Sequence, residues 1–591
     1  MGAFYLYTKK APVLIERVRQ LFAATGFGEA EHFELGPEAR LMLYRKQVDG
    51  DKNHVQDKQG GVYTVGTLIY RGLTWRESLQ RLLSDLHNDE FDATELRGAY
   101  CFIYHRGKEV RLHTDPMGLY HVFFDESRNA VSSSQLAILA GAPKRLSLNR
   151  MALLEKIATG RILGPETLAG EVFVYTPAIH LDLEGRWYKF KNLRSAYPPP
   201  GAMEGCGGNE EECADFQLEH LRTYFREIRP FVEKTGLEIS LLGELVNRMV
   251  FMLTRELDGI TPAIHSYWSS GDEQERVQIA KQIASTRGLD VRAIKLKQLN
   301  ELDSETTLAT LKDVVLFNDG VSNETLDCFS RIHTREFNEY LLGKNRLRIE
   351  GLNGEIYRNY YQINTQTTDF VYWMYYRLFY DGMTLAFNEA SLLAELTDRM
   401  VAKTARLLRR TLPRRAERGV YRRHLGEVRS PIYSGPLINA RLKLGHFLAP
   451  FAEYDTTLMA YRATSYIRSY GGFEALMRER LDPEVANLKS LQGYVPVHEP
   501  TSSRMRRLVG SMTPLRMMLA QKEAPVRREK VSWNHFNQVV GKHEHLRWLI
   551  DRLRDLYPSM NFDMGLWNPA MLSNAIFSMA VLDEFSDSFS F

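Results

Sequence analysis

Residues 239–250, ISLLGELVNRMV, place a glycine turn between an apolar strand and a helical pattern. Such a turn can cradle a phosphate, because its backbone N–H groups and the helix N-terminus point at the anion. The side chains around Gly243 oppose that chemistry, since Leu242 cannot donate a hydrogen bond and Val246 cannot bind a metal ion. Glu244 would repel a phosphate, and its Cβ obstructs the close approach that a glycine permits. The segment therefore predicts the frame of a phosphate loop without its working groups.

The elements around this loop predict a domain of alternating strands and helices. LEISLL, PAIHSYW and VRAIKL are strand-like, and helical patterns separate them. Strand, helix and strand at this spacing favour a parallel sheet with right-handed crossovers. From about residue 369 onward the pattern is predominantly helical, which predicts a helical C-terminal extension.

The N-terminal part has another pattern, with short alternating strands and one amphipathic helix between about residues 62 and 124. This predicts an α+β layout of stacked antiparallel sheets. A segment with three prolines, several glycines and an acidic run follows, and it is typical of a linker. The expected boundaries are 1–191 for the first domain, 192–215 for the linker and 216–591 for the second domain.

Length and composition exclude several classes of protein. A chain of 591 residues is too long for one ordinary core, and its net charge of +3 argues against general nucleic-acid binding. No apolar run approaches the roughly 20 residues of a membrane helix, and the N-terminus lacks a secretory pattern. Four scattered cysteines favour reduced thiols in a cytoplasmic protein. We interpret Cys206 and Cys213 as two loop thiols, with a metal site or a disulfide as the alternative.

The second half contains, in order, ISLLGELVNRMV, IHSYWSSGDEQERVQIAKQIASTRGL and LRIEGLNGEIYRNYY, followed later by PFAEYDTTLMAYRATSYIRS. These segments resemble the asparagine synthetase superfamily, whose members join an N-terminal-nucleophile glutaminase to an ATP-dependent amide-forming domain. In the first half the match is carried by Asp115, Pro116, Gly118, Tyr120, Ser133 and Ser134. The resemblance covers nearly the whole chain. It implies an αββα glutaminase-like sandwich, then an α/β parallel-sheet synthetase-like domain with a helical C-terminal part.

The resemblance also implies two substrate loops, and both are altered here. The active phosphate-loop pattern is roughly ISLTGGLDSRMV. Relative to it, this chain substitutes Leu242, Glu244, Val246 and Asn247 and keeps Gly243, Leu245 and Arg248. The second loop, G-x-G-G-[DE]-[EI] in relatives, corresponds to Gly351, Asn353, Gly354 and Glu355, with Asn353 in place of a glycine. We expect Arg248, Asp272 and Glu355 to be cleft residues that bind a ligand or stabilise the fold.

The glutaminase of such a family uses an N-terminal cysteine, exposed by removal of the initiator methionine, as its nucleophile. This chain has Gly2 at that position, and its nearest cysteine in sequence, Cys101, lies in the middle of a predicted strand. Val65-Gly66 stands where the family's oxyanion-hole Asn-Gly is expected, so a hydrogen-bond donor is missing as well. The resemblance therefore implies a domain that does not hydrolyse glutamine.

Loss in two chemically independent sites leads to the main functional hypothesis. We expect a catalytically degenerate homologue, a pseudoenzyme, that acts as a structural, regulatory or substrate-holding partner of another protein, such as an active paralogue. No catalytic residue, cofactor or metal is expected. A small molecule or peptide in the cleft, and a homodimer, are compatible with this hypothesis, whereas membrane and nucleic-acid partners are not expected.

Two alternatives keep catalysis. The first is an ATP-dependent enzyme that forms amide or peptide bonds without glutaminase activity, like lasso-peptide cyclases or lactam synthetases, which take the amine from their own substrate. It would need ATP and magnesium, and the altered phosphate loop speaks against it. The last is a glutamine-hydrolysing asparagine synthetase, which would need both sites.

Two further segments carry charge patterns. The stretch of residues 403–429 contains ten basic residues and two acidic ones. We interpret this stretch as a solvated helix face, with docking of a polyanion or acidic partner as the alternative. The tail LDEFSDSFSF is typical of a disordered segment or of one that docks on its own protein, with partner binding as the alternative.

Overall fold

The chain folds into a mixed α/β protein with several sheets, among them a five-stranded parallel sheet, and a mainly helical C-terminal region. A computed structural model describes residues 2–10, 12–47, 51–177, 187–200, 205–243, 245–269, 273–296, 302–321, 334–363, 367–467, 471–490, 515–528, 540–563 and 566–590. Among the helices in these ranges, none is both long enough and apolar enough to cross a membrane.

The N-terminal part contains two sheets that stack face to face. Its strands are β1 Ala3–Thr8, β2 Glu31–Leu35, β3 Ala39–Tyr44, β4 His54–Gln56, β5 Gly60–Gly66, β6 Ile69–Tyr70, β7 Leu96–Arg97, β8 Tyr100–Arg106, β9 Glu109–Thr114, β10 Phe123–Asp125, β11 Ala130–Ser132, β12 Leu146–Ser147, β13 Val172–Val174 and β14 Lys189–Asn192. Its helices are α1 Ile15–Ala24, α2 Trp75–His87, α3 Gln135–Gly141 and α4 Arg150–Thr159. One sheet has the order β13-β10-β11-β1-β3-β2 and the other β14-β9-β8-β5-β4.

Successive side chains of strand β8 point to opposite faces of its sheet and enter two different apolar cores. Cys101 and Ile103 point into the apolar core between the two sheets, together with Phe4 from the first sheet. Tyr100 and Phe102 point to the opposite face, into the core that contains helix α2. Because successive side chains of a strand face opposite sides, a run of apolar residues is buried on both faces. The two sheets thus share one apolar core, and β14 pairs with β9 in parallel whereas the other strand pairs within these two sheets are antiparallel.

The second half contains a five-stranded parallel sheet with the order β17-β16-β15-β18-β21. Its strands and the short ones that follow are β15 Glu238–Ser240, β16 Ala263–Trp268, β17 Val291–Lys295, β18 Leu347–Ile349, β19 Thr367–Asp369, β20 Arg415–Glu417, β21 His446–Leu448 and β22 Phe589–Ser590. The predicted strands LEISLL, PAIHSYW and VRAIKL are β15, β16 and β17, so the prediction of a parallel sheet is confirmed.

The helices of this half lie around the parallel sheet and then form the C-terminal region. They are α5 Glu210–Thr235, α6 Leu245–Leu253, α7 Gln274–Ser285, α8 Ser304–Phe317, α9 Arg335–Leu342, α10 Phe370–Arg377, α11 Ala390–Leu407, α12 Arg418–Arg423, α13 Gly435–Leu442, α14 Tyr454–Arg462, α15 Gly472–Leu481, α16 Pro483–Ala486, α17 Leu515–Arg528, α18 Glu544–Leu556 and α19 Pro569–Glu584. A π-helix spans His424–Ser434 between α12 and α13.

The segment predicted as a linker is partly helical. Helix α5 begins at Glu210, and a short 3-10 turn covers Leu193–Ala196. The side chain of Asn209 accepts a hydrogen bond from the backbone N–H of Glu212 (2.9 Å), and the Glu212 carboxylate accepts one from the N–H of Asn209 (3.1 Å). This capping box, with acidic side chains in the first turn, stabilises a helix start where composition alone predicts a linker.

The prediction of two loop thiols is wrong for Cys206 and Cys213. They form a disulfide, with their Cα atoms 5.3 Å apart. Cys213 is buried inside helix α5, and the chain before Asn209 turns back along that helix, which brings Cys206 to it. Cys101 is a buried free thiol in β8, as predicted.

The C-terminal helices pack against the N-terminal part. Helix α4 contributes Leu153, Leu154 and Ile157 to the same apolar core that contains Ile576 and Phe577 of α19. The last strand, β22, pairs in parallel with β12. The interpretation that the tail docks on its own protein is therefore confirmed for Phe589–Ser590, where Phe589 is fully buried.

Glu453 joins the two halves through buried hydrogen bonds. Its carboxylate accepts from the backbone N–H of Gly98 in the first half (3.1 Å) and from the hydroxyl of Tyr224 in α5 (2.5 Å). Burial raises the pKa of Glu453 to about 7, although these two hydrogen bonds oppose the shift. The folded protein therefore holds a proton on Glu453 at pH values where the unfolded chain has lost it.

We expect Glu453→Gln to change how stability depends on pH. Because the folded pKa is raised, the stability of the wild type falls as the pH rises from about 4.5 to about 7, by roughly 3 kcal/mol at most. The glutamine cannot ionise, so the variant lacks this part of the fall. Denaturant unfolding at pH 5 and pH 8 measures the difference. The exposed control Glu29→Gln should lose as much stability between the two pH values as the wild type does. An equal loss in Glu453→Gln would contradict the prediction.

Candidate functional site

Gly2, at the predicted nucleophile position, is buried and has no room for a side chain. Its φ is +80°, a conformation that L-residues rarely adopt, and a Cβ added there would lie 1.9 Å from the carbonyl oxygen of Tyr44. The reason is local, because Ala3 pairs with Tyr44 in the adjacent strand. The sequence predicts the loss of the nucleophile; the structure adds that the backbone excludes a replacement.

The region of the expected oxyanion hole is closed as well. Val65 pairs with Cys101 in the sheet and is buried in the sandwich core. Gly66 has a φ of +89°, and a Cβ there would lie 2.3 Å from the carbonyl oxygen of Ala99. Burial raises the pKa of the Cys101 thiol, so this cysteine stays protonated and cannot replace the missing nucleophile.

The residues that carry the first-half resemblance have structural roles. The Asp115 carboxylate accepts hydrogen bonds from the backbone N–H groups of Gly118 (2.7 Å), Leu119 (2.9 Å) and Tyr120 (2.8 Å), which fixes the turn. Burial raises the pKa of Asp115 to about 6.

The two serines of that segment hold other elements in place. Ser133 accepts a hydrogen bond through its Oγ from the N–H of Phe4 (2.9 Å) in β1. Ser134 donates through its Oγ to Asp319 at the end of α8 and caps helix α3. These serines therefore attach β1 and the second half to the sandwich.

We expect Gly2→Cys to destabilise the protein without creating glutaminase activity. The added side chain overlaps the Tyr44 carbonyl in a left-handed backbone, and such overpacking costs about 1 to 3 kcal/mol. Thermal unfolding and an ammonia-release assay with glutamine measure the two effects. Gly28→Cys is the control, because a Cβ at Gly28 meets nothing within 4 Å. Glutamine hydrolysis by Gly2→Cys would overturn the prediction.

The phosphate-loop frame has the geometry that the sequence predicts. Strand β15 lies in the centre of the parallel sheet, Gly243 follows with a φ of +72°, and helix α6 begins at Leu245. Leu242 packs against Tyr267 and Leu296 in a small apolar cluster. Two predicted site residues, Glu244 and Asp272, lie outside the described residues.

Val246 fills the space next to the second loop. A Cβ added at Gly354 would lie 1.9 Å from the Cγ1 of Val246, and one added at Gly351 would lie 2.7 Å from the same atom. Asn247 fixes this arrangement, because its Oδ1 accepts a hydrogen bond from the N–H of Gly351 (2.9 Å). The two predicted loops are thus brought together, with the apolar side chain of Val246 between them.

Arg248 stabilises the fold and does not face the cleft. It is fully buried, and its guanidinium donates to the carbonyl oxygens of Val485 (3.3 Å), Leu488 (2.7 Å) and Lys489 (2.6 Å). These bonds satisfy carbonyl groups at and after the end of α16. Burial, with repulsion from Arg478, lowers the pKa of Arg248 to about 10. Of the two predicted roles, the structure supports the structural one.

The second loop presents one acidic side chain to a cavity. Asn353 takes a left-handed conformation (φ +68°), and its side chain donates to the carbonyl oxygen of Phe451 (3.0 Å). An asparagine tolerates this backbone better than most residues, which explains how it replaces a glycine. Glu355 is half-buried at the start of the following turn and lines the cavity.

A chamber of about 560 Å³ lies beside the two loops. Val246, Asn247 and the loop 351–355 form one wall, and the π-helix forms another. The remaining wall residues come from the ends of α4 and α10 and the residues just after them, from Tyr360 and Tyr361, from Leu437 in α13, from helix α17 and from the start of α19. The volume falls in the range of small-molecule sites. Its charged lining residues are Arg161, Glu355, Arg377, Asp381, Arg429 and Lys522.

The sequence interpretation missed most of this chamber. Arg429 belongs to the basic stretch 403–429, for which the interpretation as a solvated face holds only in part. The exposed arginines of this stretch are Arg406, Arg409, Arg410, Arg414 and Arg415. Lys403 is buried and paired with Glu155 and Glu166, and Arg422 is buried against backbone carbonyl groups. These partners are distant in sequence, so charge density alone could not identify them. The π-helix departs from the period of 3.6 residues by which helices are predicted from sequence.

Comparison with known proteins adds no family. No protein-family model matches the chain, and no curated protein matches it in sequence. The resemblance to the asparagine synthetase superfamily therefore stays a prediction that rests on the quoted segments.

We expect Gly354→Ala to destabilise the protein through Val246. A valine side chain cannot rotate away easily, so the new Cβ overlaps it and costs about 1 to 3 kcal/mol. Val246→Ala removes the overlapping Cγ1. In the double variant the two losses should therefore be less than additive by about 1 kcal/mol or more. Denaturant unfolding of the four proteins measures this coupling.

The control for this cycle is Gly419→Ala, because a Cβ at Gly419 meets nothing within 4 Å. Its effect should add to that of Val246→Ala. Additive losses for Gly354→Ala and Val246→Ala would show that the two positions do not contact each other in solution.

Proposed function

We propose that this protein is a catalytically degenerate member of the asparagine synthetase superfamily that holds a small molecule or peptide for a partner protein. The observation that carries the proposal is the contact of Val246 with Gly351 and Gly354. It fills the space beside the phosphate loop with hydrocarbon, whereas the neighbouring chamber stays open. Such a protein binds without activating its ligand.

Two separate changes support the loss of catalysis. Gly2 lies in the sandwich of the first half, and Val246 lies beside the parallel sheet of the second. Each position has lost the group that its reaction would need, a nucleophile in one and a metal-organising carboxylate in the other. One loss fits a specialised enzyme, and two independent losses fit release from catalysis.

The chamber supports a holding role. It combines half-buried arginines with tyrosine and phenylalanine rings, a mixture typical of sites that bind small molecules. A ligand there would lie between the two halves of the chain, because Thr159 and Arg161 belong to the first half and Glu355 and Arg429 to the second. The ligand could then report its presence to a partner, such as an active paralogue, through either half.

The alternative is an ATP-dependent amide- or peptide-bond-forming enzyme without glutaminase activity, and the same contact weighs against it. Carboxylate adenylation needs magnesium and a polar cradle for the leaving pyrophosphate. Val246 offers neither a ligand for the metal nor space for the phosphates. Arg248, which could have supplied a positive charge, is engaged with three carbonyl groups.

Binding and exchange experiments test the proposal. Calorimetric titration of the full chain with ATP and magnesium should show no tight binding, and pyrophosphate exchange with a panel of carboxylates should stay at background. Native mass spectrometry of the protein purified from its own source should show a retained small molecule or peptide. Tight ATP binding together with exchange would refute the loss of catalysis.

A restored loop gives a sharper test. The variant Leu242→Ser, Glu244→Gly, Val246→Asp, Asn247→Ser regains the polar groups of the active pattern. We expect no ATP binding, because the second loop is packed against position 246 and a buried aspartate there gains no partner. Circular dichroism and thermal unfolding establish that the variant is folded. Gain of magnesium-dependent ATP binding would show that the four substituted side chains alone prevent nucleotide binding, and that the packing of the second loop does not.

A further inference from the structure

Two arginines and two tyrosines of the chamber form a row in which arginine and tyrosine alternate. The guanidinium carbon of Arg161 lies 5.2 Å from the ring centre of Tyr433. That of Arg429 lies 5.6 Å from the same ring and 4.8 Å from the ring centre of Tyr360. We call these four residues the arginine–tyrosine ladder. All four are half-buried, and all line the chamber.

The ladder joins three distant parts of the chain. Arg161 follows helix α4 of the first half, and Tyr360 follows the second substrate loop. Arg429 and Tyr433 lie in the π-helix. Long π-helical segments are rare, and π-helical turns occur frequently at functional sites. This one contributes two of the four ladder residues to the wall of the chamber.

Lys522 and Arg429 differ in their acidic neighbours. Lys522 lies 2.9 Å from Asp381, so this pair is neutral overall. Glu355 is the other acidic residue that lines the chamber, and its charge contributes to the raised pKa of Arg429. Within the described part of the chain, no carboxylate oxygen lies within 4 Å of the Arg429 guanidinium, whose hydrogen-bond contact is the hydroxyl of Tyr360 (3.5 Å). A half-buried cation in this situation favours a bound anion.

The ring contacts leave Arg429 able to bind such an anion. A cation–π contact uses the charge of the guanidinium and not its N–H donors. Those donors match the two oxygens of a carboxylate or the oxygens of a phosphate ester. The rings hold the guanidiniums in place, so less side-chain entropy is lost when the anion binds.

We propose that the chamber binds an organic anion, a carboxylate or a phosphate ester, whose charged group contacts the arginine–tyrosine ladder. This inference rests on the proposed function. The apolar part of the ligand contacts Leu378, Phe379 and Leu437, which line the same chamber. This inference names the class of ligand that the holding role requires. It involves no covalent step.

Three matched probes test the inference: phenylacetate, phenyl phosphate and the neutral 2-phenylethanol. Ligand-observed NMR and calorimetry with the full chain should show binding of one or both anions and none of the alcohol. The preferred anion decides between carboxylate and phosphate. Binding should weaken as sodium chloride is raised, because a charge on the ladder is screened by salt.

Variants of Arg429 test whether the anion binds at the arginine–tyrosine ladder. Arg429→Gln should weaken binding of the preferred anion at least tenfold, and Arg429→Lys should restore only part of it, because lysine lacks the planar donors. Arg410→Gln, an exposed arginine outside the chamber, should leave binding unchanged. Thermal unfolding verifies that each variant is folded, and the salt dependence of the wild type tests the same idea without a variant.

The outcomes separate this inference from the holding role. Equal binding of the alcohol and the anions, unchanged binding by Arg429→Gln, or binding insensitive to salt would overturn the anion assignment. A neutral molecule retained in the native protein would do the same while supporting the holding role. Absence of a retained ligand together with absence of binding of all three probes would overturn both.

Discussion

The contact between Val246 and the loop 351–354 determines what the centre of this protein can do. In a parallel sheet, the ends of neighbouring strands approach each other at one edge, and the loops after β15 and β18 meet there. Two glycines let the second loop approach α6 so closely that a single valine fills the gap. The loops then support each other as packed structure, and an opening for phosphates would require them to separate. Close packing occupies this edge, where the resemblance implies a polar cleft.

Buried arginine and lysine side chains also stabilise the fold, through hydrogen bonds to backbone carbonyl groups and through ion pairs. Arg248 holds the chain after α16, Arg422 holds two backbone carbonyl groups, and Lys403 pairs with two glutamates of the first half. Each cation is buried together with its hydrogen-bond partners, as the cost of removing a charge from water requires. Arg429 departs from this pattern, because aromatic rings surround it instead of carboxylates. The first three cations stabilise the fold, whereas Arg429 has surroundings in which a ligand can bind to it.

Much of the fold could be predicted from local patterns, and much of the chamber could not. The strand, Gly243 and helix α6 follow from a short apolar run beside a turn residue, and β8 follows from its alternation. Both depend on neighbours in sequence. The start of α5 was missed because a capping box overrides composition, and the disulfide was missed because its geometry depends on that helix. Arg161, Tyr360 and Arg429 come together only through tertiary folding, so no spacing in the sequence relates them.

The packing of α4 against α19 also constrains the order of events during synthesis. The apolar residues Leu153, Leu154 and Ile157 of α4 are covered in part by a helix that is made about 400 residues later. At typical rates of translation that delay is on the order of tens of seconds. During this interval the first half carries an uncovered apolar surface, and β12 lacks its partner β22. Until its own C-terminal helix arrives, the emerging chain can therefore associate with other chains through that surface.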